Sequence, residues 1–88
     1  MIERDLERKL VQRVQAVGGL AIKWTAPNTS GVPDRICFFR GGRIVFVELK
    51  RPGGQLTPLQ SRIHKMLTDL GADVRVVDSV SGIEEVCK

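Results

Sequence analysis

No apolar stretch in this chain approaches the roughly 20 residues that a bilayer-spanning helix needs. Nor does it open like a secretory leader, because charges come first in Met1-Ile2-Glu3-Arg4-Asp5. No membrane partner is expected, and a cytoplasmic, intracellular setting is. Cysteine is sparse: Cys37 and Cys87 form no Cys-x-x-Cys pair and no metal-ligand spacing. Cys37 lies in the apolar run Ile36-Cys37-Phe38-Phe39, where a buried, inert thiol is expected. Low-complexity tracts and internal repeats are absent, and 42% hydrophobic with 27% charged residues excludes a disordered chain.

What is present is one domain over residues 1–88, short enough that its core is modest and a partner subunit would help. Fourteen Lys and Arg against ten Asp and Glu give a net charge of +4, which favours a polyanionic partner. Leu6, Leu10, Val14 and Val17 repeat at helical spacing from Ile2 to Val17, and Gly18-Gly19 stops the helix. A short strand follows over Leu20 to Thr25, then a loop from Ala26 to Pro33, rich in Pro, Asn, Ser and Gly. Two strands, Asp34 to Phe39 and Arg43 to Lys50, flank a tight turn at Gly41-Gly42.

Thr57-Pro58-Leu59-Gln60 then has the residues of a capping box with Pro at the first helical position. That helix is expected to run to Leu70, with Leu59, Ile63, Met66, Leu67 and Leu70 on its buried side and Gly71 closing it. Val74 to Val77 reads as a fourth strand, and Ser81 as the cap of a last short helix over Ile83 to Val86. The order α-β-β-β-α-β-α predicts an α/β fold, a mixed central β-sheet flanked by helices.

In Ile44-Val45-Phe46-Val47-Glu48-Leu49-Lys50 the positions before Glu48 are all apolar, the mark of a central strand covered on both faces. Glu48 and Lys50 are two apart and project from one face. Such charges at the end of a buried strand are costly unless paired or engaged with a ligand. Asp34 opens the preceding strand behind Gly31-Val32-Pro33. Were Gly41-Gly42 alone the turn, Arg40 would face Arg43, and Asp34 would fall opposite Leu49 on the wrong face. A three-residue turn or a bulge instead sets Asp34 opposite Glu48 or Lys50, so that register is predicted.

Two convergent carboxylates and a backbone carbonyl, that of Leu49, offer hard oxygen ligands to Mg²⁺ or Mn²⁺. An adjacent ammonium, Lys50, can hold or deprotonate an attacking water, or stabilise an oxyanion. That combination suits phosphodiester hydrolysis. The acid-x-Lys triplet alone is weak, since Glu7-Arg8-Lys9 repeats it on a helix. The conjunction carries the signal: Pro33-Asp34 opening one strand, Glu48-x-Lys50 ending the next, and a hairpin between.

With those blocks in view, the chain resembles the VRR-NUC (virus-type replication-repair nuclease) branch of the PD-(D/E)xK superfamily. The resemblance runs from Glu7-x-x-Leu10-Val11 and Gly18-Gly19 through Gly31-Val32-Pro33-Asp34-Arg35 and Val47-Glu48-Leu49-Lys50-Arg51-Pro52-Gly53 to Pro58-Leu59-Gln60. It implies a restriction-endonuclease-like fold and an endodeoxyribonuclease. It also implies Mg²⁺ or Mn²⁺ on Asp34 and Glu48, and Lys50 at the attacking water. Glu7 is implied as an acid near the metals, as an outer partner or at a second ion, and Gln60 as the glutamine after the active-site strand. Stand-alone domains of this size resemble those of viruses and mobile elements and are similar to archaeal Holliday-junction resolvases. Branched DNA as substrate, a homodimer, a place in recombination and repair, and no organic cofactor follow from the same resemblance.

Other roles stay open on the residues themselves. Glu7 flanks the apolar stripe of its helix and could equally be solvated, with Glu3 as its rival. Gln60 is explained by capping as well as by contact with water or phosphate. His64 lies one turn further on the same face, where packing is the ordinary role of a lone histidine. Trp24 suits core packing better than base stacking. Among the cations, Arg51 beside Lys50 is the best phosphate contact, with Arg35 and Lys23 behind it. Asn28 and Ser30 in the polar loop are further DNA candidates. The rival functions are a catalytically silent DNA-binding module and a flap or restriction-type nuclease.

Overall fold

The computed structural model describes residues 2–88. Helix α1, Glu3–Ala16, buries Leu6, Leu10 and Val14, one residue per turn, and Gly18 with φ +84° reverses the chain behind it. Strands β1 (Leu20–Lys23), β2 (Arg35–Phe38), β3 (Ile44–Leu49) and β4 (Val74–Val77) form one sheet in the order β1-β2-β3-β4. The first two pairings are antiparallel and the third is parallel. A parallel pairing needs a long crossover, and α2 (Pro58–Asp69) lies within it. Helix α3, Val80–Val86, closes the chain. The α-β-β-β-α-β-α order and the mixed sheet are those expected.

The hairpin register is also the expected one. Arg35 faces Val47 and Phe38 faces Ile44, which continues to Asp34 beside Glu48. The turn is three residues long, Arg40–Gly42, closed by Phe39 N–H donating to the Arg43 carbonyl at 2.9 Å. Gly41 and Gly42 both take positive φ, near +82° and +84°, a region open to glycine without cost.

The two faces of the sheet differ. Ala21, Cys37, Val45, Val47, Leu49 and Val77 point to one side and form the core with α1 and with Ile83 and Val86 of α3. Cys37 is fully buried there and burial pushes its thiol up to about 11, so the thiol is inert at neutral pH. On the other side Leu20, Ile22, Phe38, Ile44 and Val76 are exposed, and Trp24 packs on the Phe46 ring at 5.3 Å. The expectation that β3 is covered on both faces therefore holds at its end, where Glu48 is buried, and fails at its start, where Ile44 is exposed and no helix among the described residues lies across the sheet.

Helix α2 departs from expectation for a related reason. Of the expected buried side, Ile63 and Leu67 are half-buried while Leu59, Met66 and Leu70 are exposed, Leu70 by 85%, and the helix's buried residue is His64. The Gln60–His64 row faces inward, with Gln60 in contact with Glu48 of β3. At the chain's end Ser79, not Ser81, caps α3: its extended backbone lets its hydroxyl accept from Gly82 N–H at 3.1 Å. Strand β1 stops at Lys23 and β3 at Leu49, leaving Lys50 just past the ladder.

Gly19, in the connection from α1 to β1, lies close against both Val14 and the Phe38 backbone. A Cβ there would lie 2.5 Å from the Phe38 carbonyl oxygen and 2.9 Å from Val14 Cγ1. Gly19→Ala is expected to lower the unfolding free energy by about 2 kcal/mol, the usual cost of overpacking. Denaturant titration measures it, and an unchanged midpoint would show the approach to be looser than described.

Candidate active site

The carboxylates meet because of the three-residue turn. Asp34 follows buried Pro33, and its carbonyl accepts from Trp24 N–H at 2.9 Å, tying it to the end of β1. Its Oδ2 accepts from Leu49 N–H at 3.0 Å, so the side chain spans from β2 to the end of β3. Glu48, only 2% exposed, is the next residue back along β3.

Gln60, Lys50 and His64 stand around Glu48. Gln60 Nε2 donates to Glu48 Oε2 at 3.2 Å, and Lys50 Nζ lies 3.6 Å from the same oxygen. Lys50 Nζ donates to Gln60 Oε1 at 3.0 Å. That oxygen also accepts from Thr57 N–H at 3.0 Å, while Thr57 Oγ1 accepts from Gln60 N–H at 3.1 Å. Gln60 thus completes the capping box and reaches Glu48 of β3 and Lys50 just beyond it at once. Of the two explanations left open for it, the capping one is present in the structure. His64 Nε2 stands 3.9 Å from Glu48 Oε1.

Burial, and then the Asp34 carboxylate, push Glu48 up to about 7, while Lys50 pulls the other way. Burial and the Lys50 charge push His64 down. Glu48 Oε1 and both ring nitrogens of His64 are buried without a hydrogen-bond partner. Such orphaned atoms are rare in folded proteins and call for an explanation.

A cleft of about 420 Å³ opens on the α1 side of the site, lined by Glu3, Arg4, Glu7, Lys23, Asp34 and Leu49. Glu7 and its rival Glu3 both reach it. Glu7 Oε2 is 3.5 Å from Arg35 Nε, and Arg35 also donates to the Ala21 carbonyl at 3.2 Å. Arg35 is thereby occupied within the protein, as is Arg43, whose guanidinium donates to the carbonyls of Val86 and Lys88. Lys23 lies in the cleft. Arg51, Asn28 and Ser30 are exposed outside it, on the loop after β3 and the loop between β1 and β2.

The donor set fits a hard divalent cation. Two close carboxylates repel, one of them has a raised proton affinity, and its Oε1 has no partner; a cation relieves all three. Among the described residues no three Asp, Glu, His or Cys side chains converge as a ready cluster. A cation held by Asp34 and Glu48 would therefore complete its shell from the main chain and water.

The family model for the VRR-NUC domain matches residues 3–81. The chain belongs to the VRR-NUC family. It is a nuclease of that family. It is similar to the protein named "Putative nuclease p44" of Acyrthosiphon pisum secondary endosymbiont phage 1. The two are 46% identical over 77 residues, spanning 88% of this chain and 83% of the relative. A solved structure described as a VRR_NUC domain superposes with a TM-score of 0.89 at 32% identity, covering 96% of this chain and 91% of that one.

Within this VRR-NUC chain, two residues entered the site that the motif blocks did not single out. Arg4 joins the cleft from the first turn of α1, and no pattern in the sequence marks it. His64 does have a signal, its four-residue spacing from Gln60 on a capped helix, which puts both on one face.

Glu48 makes a pH prediction for the metal-free protein. A carboxyl whose folded affinity for its proton is raised from 4.5 to about 7 contributes stability below 4.5 and loses it as pH rises through 7. In EDTA, Glu48→Gln is expected to be more stable than the parent by about 3 kcal/mol at pH 8 and nearly equal to it at pH 4. Thermal unfolding at both pH values decides it. An advantage independent of pH would mean that the buried charge is not the cause.

Proposed function

We propose that this nuclease is a metal-dependent, structure-selective DNA endonuclease that hydrolyses phosphodiester bonds in Holliday junctions or related branched DNA, acting as a homodimer. The observation that carries the chemistry is the convergence of Asp34, Glu48 and Lys50 at one strand end, with Gln60 bridging the last two. Asp34 and Glu48 would hold the ion, with the Leu49 carbonyl and, further out or at a second ion, Glu7. Bound there, Mg²⁺ or Mn²⁺ supplies an acidified water and a charge that neutralises the phosphate.

The chain's own residues do the rest. Gln60 and Glu48 hold the Lys50 ammonium, which donates to the attacking oxygen or to the oxyanion that forms on phosphorus. Where the water's proton must be taken up at that position, arginine would serve less well, since it does not give up its own proton in proteins. Lys23 in the cleft and Arg51 beside Lys50 engage backbone phosphates, and Asn28 and Ser30 contact DNA from the loop between β1 and β2.

Cleavage of a labelled four-way junction, with linear duplex and flap controls, in Mg²⁺, Mn²⁺ or EDTA, tests the proposal. Paired symmetric nicks that require metal are expected, with a loss of roughly 10²-fold or more in Lys50→Ala. Metal-dependent cutting of flaps or linear DNA would keep the chemistry and discard the junction. Tight binding with no cleavage in either metal would favour the silent binding module.

Two paired cuts need two sites, and a junction has approximate two-fold symmetry. The open face of β1, β2 and β3 supports a second copy as its cover. Leu20, Ile22, Phe38 and Ile44 form an apolar band of the kind that marks an interface. Light scattering is expected to give twice the 9.8 kDa chain mass, and Phe38→Glu to return the single-chain mass. A parent protein of single-chain mass at working concentration would remove the dimer.

A further inference from the structure

His64 is a costly residue to bury where it is. It is 6% exposed, and neither ring nitrogen has a partner. A leucine or methionine would fill the same volume without leaving polar atoms unpaired, so packing alone does not account for an imidazole. What faces it is the second orphan of the site. Glu48 Oε1 lies 3.9 Å from His64 Nε2, and it too is buried without a partner.

That separation is longer than a hydrogen bond, which closes at 2.7–3.2 Å. A shift of roughly 1 Å in the Glu48 side chain would make one. The other oxygen, Oε2, is already taken by Gln60 Nε2 at 3.2 Å. Gln60 and His64 stand on successive turns of α2, so one rigid helix face addresses both oxygens of the carboxylate.

We propose that His64 is a positioning residue for Glu48. Its Nε2–H donates to Oε1 when the site is loaded, and so fixes the carboxylate in the orientation that holds the cation with Asp34. The inference rests on the metal-dependent reading above and deepens it. Partners of a metal-ligating carboxylate act on metal affinity, with effects of about 10–100-fold on removal.

The test compares His64→Gln with His64→Met. The two side chains have the same length and nearly the same shape, and only Gln carries an N–H donor. Mn²⁺ binding to the DNA-free protein is measured by calorimetry, beside thermal unfolding in EDTA and the Mn²⁺ concentration for half-maximal cleavage. His64→Met is expected to stay folded in EDTA, to bind Mn²⁺ roughly tenfold or more weakly, and to need correspondingly more Mn²⁺ for cleavage. His64→Gln is expected to recover most of the affinity. Should His64→Met fail to fold, His64→Leu takes its place as the apolar variant. Equal Mn²⁺ affinity in the parent and the apolar variant would overturn the positioning role and leave the metal reading intact. A parent protein that binds no Mn²⁺ would overturn both.

Discussion

A carboxylate buried at the end of a central strand, next to a second carboxylate, is a liability that the rest of this fold is arranged around. Glu48 is nearly inaccessible, and both its burial and Asp34 disfavour its charge. Against that stand the Lys50 ammonium, set by the end of β3, and the Gln60 amide, in place because α2 begins where it does. The capping box at Thr57 therefore does more than end a loop. It sets the origin of the helix that brings Gln60 and His64 to Glu48. The local stop signal and the site are one hydrogen-bonded unit through Gln60 Oε1.

The same arrangement explains the lopsided sheet. One face is sealed by α1 and α3 and carries the core. The other is met by α2 along β4, at the site end, where half-buried Ile63 and Leu67 and the Gln60 contact to Glu48 accompany buried His64. The apolar residues of β1, β2 and the start of β3 are left uncovered on that side. A chain of 88 residues can build one good core, and here it spends its three helices on one face and on the site.

Much of this was legible in advance, and for identifiable reasons. Helix α1 was readable from Leu6, Leu10 and Val14, since burial of one stripe leaves a 3.6-residue period. The register of β2 on β3 was readable because only one parity puts Asp34 and Glu48 on a shared face, and the turn of Arg40–Gly42 supplies it. The α2 stripe is covered only at Ile63 and Leu67. Leu59, Ile63, Met66, Leu67 and Leu70 have a helical period, yet the period shows only that a face is apolar, not what covers it. Arg35 misled as a phosphate contact for a similar reason: its charge is visible in the sequence, but its engagement with Glu7 and Ala21 is not.

By itself the amino-acid order determined the elements, their sequence along the chain, the family, and the trio of Asp34, Glu48 and Lys50. These rest on local periodicity, turn chemistry and fixed spacing, all of which act between near neighbours. Tertiary structure alone decided the role of Gln60 as a bridge, the burial of His64 against Glu48, the loss of Arg35 to an internal contact, and the open apolar face. The first two depend on how α2 is rotated and where it lands on the sheet, and the Arg35 contact on how α1 lies against β1 and β2. Those placements are made by contacts between segments far apart in sequence, which no local pattern encodes.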